Sequence, residues 1–590
     1  MSDDGSSDGQ NRITVEELGN SLFECADELR GSIDKGRYKD FILPLVFHAG
    51  VSRQFDERVR QVLEEGEYET IDYVDDKLVE QGGGGDQIKE EIEELIYQAA
   101  EDKTSGGVRV PKGYHWRDIR QTEEGMAVEI DSALDEFEEK NSEYEGAFQN
   151  AYSNIESFTD TSGDSLLSRV VEIVHSSVYQ TEKEIPPDVM GEAFMYLVKR
   201  FAEEEAGEYF TPPRVVRLVV SMIEPFEPET EIHDPTIGSG GMLVEVVEQI
   251  EQQHRSGWYE GMDGAYQDAT SVFDFIASSD IKFSGQEKNP TIAGIAKMNL
   301  ALHGIDGRVE RGDSLTDPKF TSGDSSLEEF DYILANFPFS ENGWQEGTDS
   351  RAGVYGDMDW HEDDKLPHGS YGDFAFIMHM ESHLDDEGGQ LATVAPHGVL
   401  FRNGDQPYRK KMVEQDWVEA VVGLPENMFE STGIPAAILV LNKDKPEERE
   451  EEVMFMSLDH EDRFYRDTGS NRHRLIDPIA DGDVDTTQSP VVYADMENPT
   501  GVAEAKQLFE AWDDEERVCR TVDTDEIEEN DYNMNIALYV DTTEPQDDID
   551  VTEKLGDIQE LESEYQELNN QLQTYMQQLK YDAETEGDIE

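Results

Sequence analysis

Between residues 185 and 480 the chain alternates short apolar runs with helical stretches, and this alternation restricts the possible folds more than any other feature. The clearest apolar runs lie at residues 232–233, 330–335, 390–395, 418–424 and 436–441, and each is followed by turn residues. Strands that alternate with helices predict an α/β domain with a mostly parallel sheet. We therefore expect functional residues where the strands end, at the carboxyl edge of that sheet.

Segments of different composition flank this domain. Residues 1–13 are polar and acidic, and we expect them to form a disordered tail. Residues 14–180 carry apolar residues at helical spacing and predict a helical N-terminal domain. After the α/β domain, which spans residues 185–480, we expect an acidic C-terminal extension over residues 481–545 and a single helix over residues 550–582.

The last helix has the most regular pattern in the chain. Its apolar residues are spaced alternately by three and four positions, at Ile558, Leu561, Tyr565, Leu568, Leu572, Tyr575 and Leu579. This heptad repeat is typical of a coiled coil, in which one seam packs against a partner helix. The partner helix could lie within this protein or on another subunit, and we favour docking between subunits.

The charge of the chain is extreme and evenly spread. Against 47 Lys and Arg residues stand 135 Asp and Glu residues, which gives a formal net charge of −88. We expect such a surface in a protein adapted to a very salty cytosol, because self-repulsion is screened where the Debye length is about 3 Å at 1 M salt. The sign of the charge argues against a broad basic face that grips DNA.

The sequence also indicates the cellular compartment. No window approaches the roughly 18 uninterrupted apolar residues of a membrane span, and the polar N-terminus does not resemble a secretory or transit peptide. The two cysteines, Cys25 and Cys519, are too few for a zinc cluster or a disulfide framework. We therefore expect a cytoplasmic protein with no membrane contact and no bound metal.

A glycine-rich turn follows the first predicted strand. The stretch IHDPTIGSGGML contains Asp234, Gly238, Ser239, Gly240 and Gly241. A strand, an acid, a glycine turn and a helix in this order can hold a nucleotide-like cofactor, because glycines let the backbone approach the ligand closely. No Gly-Lys dipeptide occurs, which excludes a P-loop. A tight structural turn is the alternative interpretation.

Two acids and an Asn-Phe-Pro-Phe stretch lie at the ends of later predicted strands. Glu287 is suited to hydrogen bonding a ribose diol, and Asp313 could meet an adenine amine. Taken singly, each acid is more simply a solvated surface carboxylate. Their order after the glycine turn, with residues 336–339 next, predicts that the ends of four strands line one crevice.

Another candidate stretch lies upstream of the first strand. It consists of Glu208, Tyr209, Phe210, Thr211, Pro212 and Pro213. A helix is predicted to follow, and proline is tolerated in the first turn of a helix. The stretch is therefore either a simple helix start or a flap of aromatic and backbone groups over the cofactor.

Taken together, these motifs resemble a known family. They are GEYFTP at residues 207–212, DPTIGSGGML at 234–243, GQEKNPT at 285–291, GDSL at 312–315 and ANFPF at 335–339. Residues 20–47, 372–376, 395–401, 424–435 and 530–541 extend the likeness over nearly the whole chain. In this order they are similar to the modification (M) subunit of type I restriction–modification systems, an N6-adenine DNA methyltransferase family.

The resemblance implies a fold and a cofactor. The fold would be a Rossmann-like class I methyltransferase domain with an N-terminal helical domain and a C-terminal coiled-coil helix. The cofactor would be S-adenosyl-L-methionine, in contact with residues 208–213 and with Ser239 to Gly241. Asp234, Gly238 and Gly240 would belong to the same loop. Glu287 would hold the ribose hydroxyls and Asp313 the adenine.

The resemblance also implies partners. They are double-stranded DNA, a second copy of the M subunit, a specificity (S) subunit that reads the DNA sequence, and a restriction (R) subunit that acts as a motor. Delegated sequence reading would reconcile an acidic surface with a DNA substrate. The heptad helix would then be the candidate for docking on the specificity subunit.

The implied reaction methylates the exocyclic amine of an adenine that has been flipped out of the duplex. This amine is a poor nucleophile because its lone pair is delocalised into the ring. The side-chain oxygen of Asn336 and a main-chain carbonyl directly after it would accept the amine hydrogens. Phe339 would stack on the flipped base. The reaction needs neither a protein nucleophile nor a metal.

The sequence departs from the family pattern at two places. Phe337 stands where the family usually has a proline, and we expect it to supply its carbonyl with somewhat more backbone freedom. Pro338 still biases residue 337 toward an extended conformation. Ile237 is apolar where the family often has a small or polar residue, and we expect this change to be harmless.

Two other interpretations remain open from the sequence. The same crevice could methylate cytosine N4 or a protein glutamine amide, or the chain could be a non-catalytic scaffold. The helical N-terminal domain and the signature at residues 530–541 favour the DNA enzyme. The intact residues Asp234, Glu287, Asn336, Pro338 and Phe339 favour catalysis.

Overall fold

The computed structural model describes most of the chain. The described residues are 13–65, 108–122, 124–148, 152–155, 161–180, 187–204, 211–223, 225–259, 272–322, 326–344, 371–429, 433–469, 472–481, 499–543 and 551–578, with the single residues 158, 185, 493 and 496. The predicted tail over residues 1–13 therefore lies outside the described residues, apart from Ile13.

The N-terminal part of the described chain is helical, as predicted. Its helices are α1 (Val15–Leu29), α2 (Tyr38–Glu65), α3 (Trp116–Arg120), α4 (Met126–Lys140), α5 (Thr161–Tyr179) and α6 (Pro187–Glu204). Helix α1 begins at a capping box, in which Thr14 and Glu17 each accept a hydrogen bond from the other's backbone N–H. Helix α6 lies beyond residue 180 and still packs Phe194 and Leu197 into the same helical core.

The rest of the chain forms an α/β domain and one further helix. The strands are β1 (Glu231–Asp234), β2 (Lys282–Glu287), β3 (Gly307–Arg311), β4 (Tyr332–Asn336), β5 (Gln390–Pro396), β6 (Val418–Gly423), β7 (Ala436–Asn442), β8 (Glu452–Ser457), β9 (Tyr465–Gly469), β10 (Arg472–Leu475) and β11 (Cys519–Asp523). The helices are α7 (Pro213–Ser221), α8 (Gly241–Ser256), α9 (Val272–Ser279), α10 (Pro290–Leu302), α11 (Asp373–Glu381), α12 (Gly398–Phe401), α13 (Gln406–Glu414), α14 (Val502–Ala511), α15 (Thr524–Glu529) and α16 (Val551–Gln578).

Nine of these strands form one sheet in the order β11-β8-β6-β7-β5-β4-β1-β2-β3. The pairs β1–β2, β1–β4, β2–β3, β4–β5 and β6–β8 are parallel, which confirms the prediction of a mostly parallel sheet. Strand β7 runs antiparallel between β5 and β6, and β11 runs antiparallel to β8 at the edge. Strand β11 comes from the predicted C-terminal extension, so a boundary near residue 480 does not separate that extension from the sheet.

The central strands are buried on both faces by helices. Side chains of β4 alternate between two cores, with Tyr332 and Leu334 in one and Ile333 and Ala335 in the other. This period of two is the geometry of a strand. Burying one such aliphatic side chain stabilises the fold by roughly 1.5 to 3 kcal/mol, so the sheet provides a rigid base for the residues at its edge.

Strand β4 is displaced from its predicted position at residues 330–335. Phe330 exchanges backbone hydrogen bonds with the segment around Leu384, and the Asp331 carboxylate accepts the backbone N–H of Glu231 at 2.7 Å. The backbone of Asp331 also bonds to Glu231 of β1 and to Gln390 of β5, just before the paired residues. The strand itself begins at Tyr332 and ends at Asn336, which lies opposite Val394 of β5. Asn336 is a strand residue and not the first residue of a loop.

The signature at residues 530–541 packs against the segment after β5. The buried guanidinium of Arg409 donates to the backbone carbonyl of Tyr532 at 2.7 Å and to that of Val399 at 3.0 Å. The backbone N–H of Met534 donates to the carbonyl of Leu400 at 2.9 Å. These bonds give the signature a structural role, because they fasten the chain that follows β11 to helix α12.

Helix α16 belongs to a separate unit, residues 542–590. Its heptad side chains Leu561, Tyr565, Leu568, Leu572 and Tyr575 are exposed, Tyr565 by 70 %. Leu579, the last position of the predicted seam, lies outside the described residues. A partner helix for this seam stays a prediction.

None of the described helices is long and apolar enough to cross a membrane.

Candidate active site

The sheet order brings four strand ends to one edge. Strands β3, β2, β1 and β4 are neighbours and run parallel, so their carboxyl ends point the same way. The chain order of the strands reverses between β1 and β4, and open α/β sheets bind ligands at such a switch point. The glycine turn, Glu287, Asp313 and Asn336 lie at these four ends.

The glycine turn connects β1 to helix α8. Gly238 and Gly240 have φ angles of 53° and 85°, a left-handed region that favours glycine. The Asp234 carboxylate accepts the backbone N–H of Thr236 at 2.9 Å and so fixes the start of the turn. Helix α8 begins at Gly241, where a Cβ atom would meet no described heavy atom within 4 Å. The turn therefore presents open backbone at a helix N-terminus, where N–H groups attract polar and anionic ligand groups.

Three contacts that sequence reasoning missed support this turn. The buried side chain of Asn299 on α10 donates to the carbonyl of Ser239 at 2.8 Å. The hydroxyl of Ser314 donates to the carbonyl of Pro235 and so ties the end of β3 to the turn. Ile237 packs against Gly285, where any Cβ would clash with its side chain. The signal for Asn299 was an amide within an otherwise apolar helix, and the fit to Gly285 explains why Ile237 is accommodated.

Burial raises the pKa of both acids beside the glycine turn, Asp234 and Glu287. Asp234 is only 2 % exposed, and this burial raises its pKa to about 8. The hydrogen bond from the N–H of Thr236 opposes the rise, and the negative charge of Glu287 adds to it. Burial also raises the pKa of Glu287, and the backbone N–H groups of Asn289 and Gly238 oppose that rise. The Asn289 N–H lies 2.7 Å from the carboxylate. Perturbed acids of this kind cluster at functional sites.

The raised pKa of Asp234 makes a testable contribution to stability. A carboxyl group whose pKa is higher in the folded state favours folding fully below its unfolded pKa, and this contribution is lost as pH rises toward about 8. Asp234→Asn removes the titration and keeps the acceptor oxygen. Between pH 5 and pH 8, the wild type should therefore lose roughly 1 to 4 kcal/mol of unfolding free energy relative to the variant. Denaturant unfolding at both pH values and constant high salt measures this difference. The exposed Asp525→Asn is the control, and parallel pH curves for Asp234→Asn and wild type would contradict the assignment.

Asp313 follows β3 and already has two kinds of partner. Its Oδ1 atom accepts the backbone N–H of Leu315 at 3.0 Å, and its Oδ2 atom lies 2.8 Å from the ammonium group of Lys288. The lysine side chain is exposed and can move aside.

Asn336 is the last residue of β4. Its Nδ2 atom donates to the hydroxyl of Thr211 at 2.7 Å. Its Oδ1 atom is buried and has no hydrogen-bond partner among the described residues. A buried acceptor without a partner costs roughly 1 to 3 kcal/mol, so it calls for a functional explanation.

The side chain of Phe337 is buried and packs against helix α11. Its ring is 2 % exposed and stacks on Phe376 of α11, with the ring centroids 5.3 Å apart and the planes 12° apart. The expected gain in backbone freedom at this position is therefore offset, because the aromatic contact restrains the residue that a proline ring would otherwise restrain. Its side chain serves the core, and its backbone carbonyl is what remains for the site.

The fourth residue of the stretch, Phe339, has an aromatic neighbour that the sequence analysis did not single out. Phe429 follows β6, and its ring centroid lies 6.1 Å from that of Phe339 at an interplanar angle of 75°. Both side chains are partly buried. The signal was the aromatic residue at the end of the stretch LPENMF. Phe339 lies three residues after Asn336, so this edge-to-face pair belongs to the segment that follows β4.

The upstream stretch is described only in part. Glu208, Tyr209 and Phe210 lie outside the described residues. Pro212 is the N-cap of α7 and Pro213 its first residue, as expected of proline in a first turn. Thr211 precedes the N-cap Pro212 and contacts Asn336.

Comparisons with known proteins identify the family of the chain. The family model described as N-6 DNA Methylase matches residues 186–548, and the HsdM N-terminal domain matches residues 18–174. The chain is 26% identical over 581 residues to the type I restriction enzyme MjaVII methylase subunit of Methanocaldococcus jannaschii, covering 96% of this chain and 84% of that protein. It is 27% identical to the HindI methylase subunit of Haemophilus influenzae, covering 72% and 85%.

A solved structure shows the same fold. The type I restriction-modification system methyltransferase subunit from Streptococcus thermophilus superposes with a TM-score of 0.66 at 23% identity, covering 90% of this chain and all of that one. Because the N-6 DNA Methylase model spans well over half of the sequence, the chain belongs to that family, and it combines this domain with the N-terminal domain of type I methylase subunits.

Proposed function

We propose that the chain methylates the N6 amine of adenine in double-stranded DNA with S-adenosyl-L-methionine, as the modification subunit of a type I restriction–modification complex. The observation that carries the proposal is the Oδ1 atom of Asn336, a buried acceptor without a described partner at the switch point of the sheet. An amine hydrogen of the substrate would satisfy this acceptor.

The residues at the strand ends fit the cofactor. The open backbone at Gly241 and the positive φ angles of Gly238 and Gly240 leave room for a methionine moiety next to the N-terminus of α8. Glu287 is half-buried, and this burial raises its pKa; a ribose diol would hydrogen-bond its carboxylate. Asp313 would receive the adenine amine. When bound, the sulfonium group supplies an electrophilic methyl group.

The protein's part in the reaction is to hold and polarise the target amine. Asn336 accepts one amine hydrogen and the carbonyl of Phe337 accepts another, which turns the nitrogen lone pair away from the ring and toward the methyl group. Placed acceptors also stabilise the positive charge that develops on the amine. Phe339 would stack on one face of the flipped base, and Phe429, whose ring is inclined at 75° to that of Phe339, would contact the edge of the base.

Partners follow from the relatives and from the surface. The relatives are named as methylase subunits of type I restriction enzymes, which places DNA, a specificity subunit, a second copy of this chain and a restriction subunit among the expected partners. A net charge of −88 leaves this chain poorly suited to read DNA alone. We place the complex in the cytoplasm, where chromosomal DNA is the substrate, and we retain adaptation to high salt as the explanation of the charge.

A nucleoside assay tests the proposed function. The complex is purified from its own host in molar KCl and incubated with labelled cofactor and DNA from a strain that lacks the gene. Hydrolysed DNA is then separated by liquid chromatography and mass spectrometry. Label in N6-methyladenine supports the proposal. Label in N4-methylcytosine or in protein glutamine would replace it with the corresponding alternative, and no label in any product would favour a scaffold.

The heptad seam of α16 yields a separate prediction about assembly. Leu568→Asp places a charge in the exposed seam, and burying it against a partner helix should weaken docking by at least about tenfold. The size of the purified assembly, measured by light scattering on a sizing column, should fall toward that of this chain alone. Asn570→Asp adds the same charge outside the seam and should leave the assembly intact. An unchanged assembly with Leu568→Asp would show that α16 is not the docking helix.

A further inference from the structure

The hydrogen bond between Thr211 and Asn336 joins two motifs that the sequence keeps 125 residues apart. Thr211 belongs to the GEYFTP stretch, whose family resemblance points to the cofactor. The structure instead connects its hydroxyl to the amide that faces the target base. We infer that Thr211 is a positioning residue for the catalytic amide, and this inference rests on the proposed function.

A side-chain amide that acts as an acceptor has to be held in one of its two orientations. An asparagine amide has an acceptor oxygen and a donor NH2 group of nearly the same size and shape. Only the oxygen can accept a hydrogen from the adenine amine, and an amide rotated by a half turn would present two donors to another donor. Thr211 accepts from Nδ2 and leaves Oδ1 facing away, buried and without a described partner. In the structure this bond holds the amide in the productive orientation.

The position of Thr211 is fixed by the protein and not by the cofactor. The residue precedes Pro212, the N-cap of α7, and two arginines anchor this helix. Arg214 pairs with Asp481 at 2.7 Å. Arg217 donates to the buried carboxylate of Asp477 at 3.0 Å and to that of Glu245 at 3.0 Å. Because ion pairs on successive turns hold the helix, its N-terminal end cannot shift freely, and Thr211 is placed before any ligand binds.

Anchoring from both sides makes the arrangement pre-organised. Asn336 is the last residue of β4 and is fixed by the sheet, while Thr211 is fixed by α7. A catalytic group whose rotamer is locked by a second residue needs no reordering when the substrate arrives. The inferred role thus assigns Thr211 to the transfer step and not to cofactor affinity.

Two substitutions of matched size test this role. Thr211→Val keeps the shape and removes the hydroxyl, while Thr211→Ser keeps the hydroxyl. In the purified complex with DNA and saturating cofactor, Thr211→Val should lower the single-turnover rate constant about five- to tenfold, the effect of one hydrogen bond. Thr211→Ser should restore the wild-type rate to within about twofold. The Kd for S-adenosyl-L-methionine, measured by calorimetry, should not change in either variant.

The possible results distinguish a positioning role of Thr211 from cofactor binding and from packing. A higher Kd for the cofactor in Thr211→Val, with a normal rate constant at saturation, would overturn the inference and make Thr211 a cofactor ligand. A normal rate constant and a normal Kd would show that the hydroxyl is dispensable. A serine variant as slow as the valine variant would point to packing by the methyl group. The product of the wild-type complex distinguishes a failure of the Thr211 inference from a failure of the proposed function. Absence of N6-methyladenine in that product would refute the proposed function itself.

Discussion

Asn336→Ala is expected to lower the rate constant of methyl transfer by at least about a thousandfold, because it removes a placed electrostatic contact to the reacting group. The variant loses the Oδ1 acceptor at the end of β4 and also the hydrogen bond to Thr211. The backbone of residue 336 stays paired with β5, so the sheet should keep its register. Cofactor binding should persist, since the glycine turn and Glu287 lie on other strands.

The measurement is single-turnover methylation by the purified complex, with the cofactor Kd and the thermal unfolding midpoint recorded for the same preparations. Asn403→Ala, an exposed asparagine of the same domain, is the matched control and should behave as wild type. Activity in Asn336→Ala close to that of wild type would refute the role of the amide, even though the family assignment would stand. A large fall in the unfolding midpoint would instead mean that the loss reflects unfolding.

The sequence predicted the sheet and its functional edge because these depend on local patterns. Apolar runs that stop at turn residues mark strands buried on both faces, and parallel neighbours place their ends together. The glycine turn, Glu287 and Asn336 could therefore be located before any coordinates. The antiparallel strand β7 and the edge strand β11 depend on pairing between distant segments, which periodicity does not encode.

The contacts that hold the site were not predictable in the same way. The bonds of Asn299 to Ser239 and of Thr211 to Asn336 link residues that are 60 and 125 positions apart. Nothing in a local pattern distinguishes these polar residues from solvated ones. The acids pose the same difficulty, because in a chain with 135 Asp and Glu residues a solvated carboxylate is the natural expectation. Asp477 is an exception, because its carboxylate is fully buried and pairs with Arg217.

Asp373, the first residue of α11, is the buried acid whose removal should disturb both the fold and the site. One carboxylate oxygen accepts the backbone N–H of Ser340 at 2.6 Å, and the other pairs with the guanidinium of Arg402. Ser340 follows Phe339 and has a φ angle of 55°, so the chain turns sharply as it leaves the Asn-Phe-Pro-Phe stretch. The carboxylate holds that turn, and the Arg402 guanidinium, which lies 4.4 Å from the ring centroid of Tyr371, holds the carboxylate.

Asp373→Ala should therefore cost about 3 kcal/mol of unfolding free energy, because it leaves the Ser340 N–H without its acceptor and the Arg402 guanidinium with only the more distant carboxylate of Asp405, 3.8 Å away. Asp373→Asn keeps an acceptor for Ser340 and loses only the charge, so its cost should be smaller. Denaturant unfolding at constant salt measures both. Methyl transfer should fall in the same order, since a loosened turn no longer fixes the carbonyl of Phe337 beside the target amine.

A double substitution shows whether the cost of losing Asp373 comes from the unpaired Arg402 or from the lost attraction between the two side chains. Breaking a buried ion pair on one side costs more than replacing both partners with apolar groups of similar volume. Asp373→Leu combined with Arg402→Met should therefore be more stable than Asp373→Leu alone, although Ser340 loses its acceptor in both. Equal stability of the single and double variants would show that water or Asp405 satisfies Arg402 and that the turn depends on the hydrogen bond alone. If the double variant regains stability but stays slow in methyl transfer, then the bond from Asp373 to Ser340 is what positions the Asn-Phe-Pro-Phe stretch for reaction.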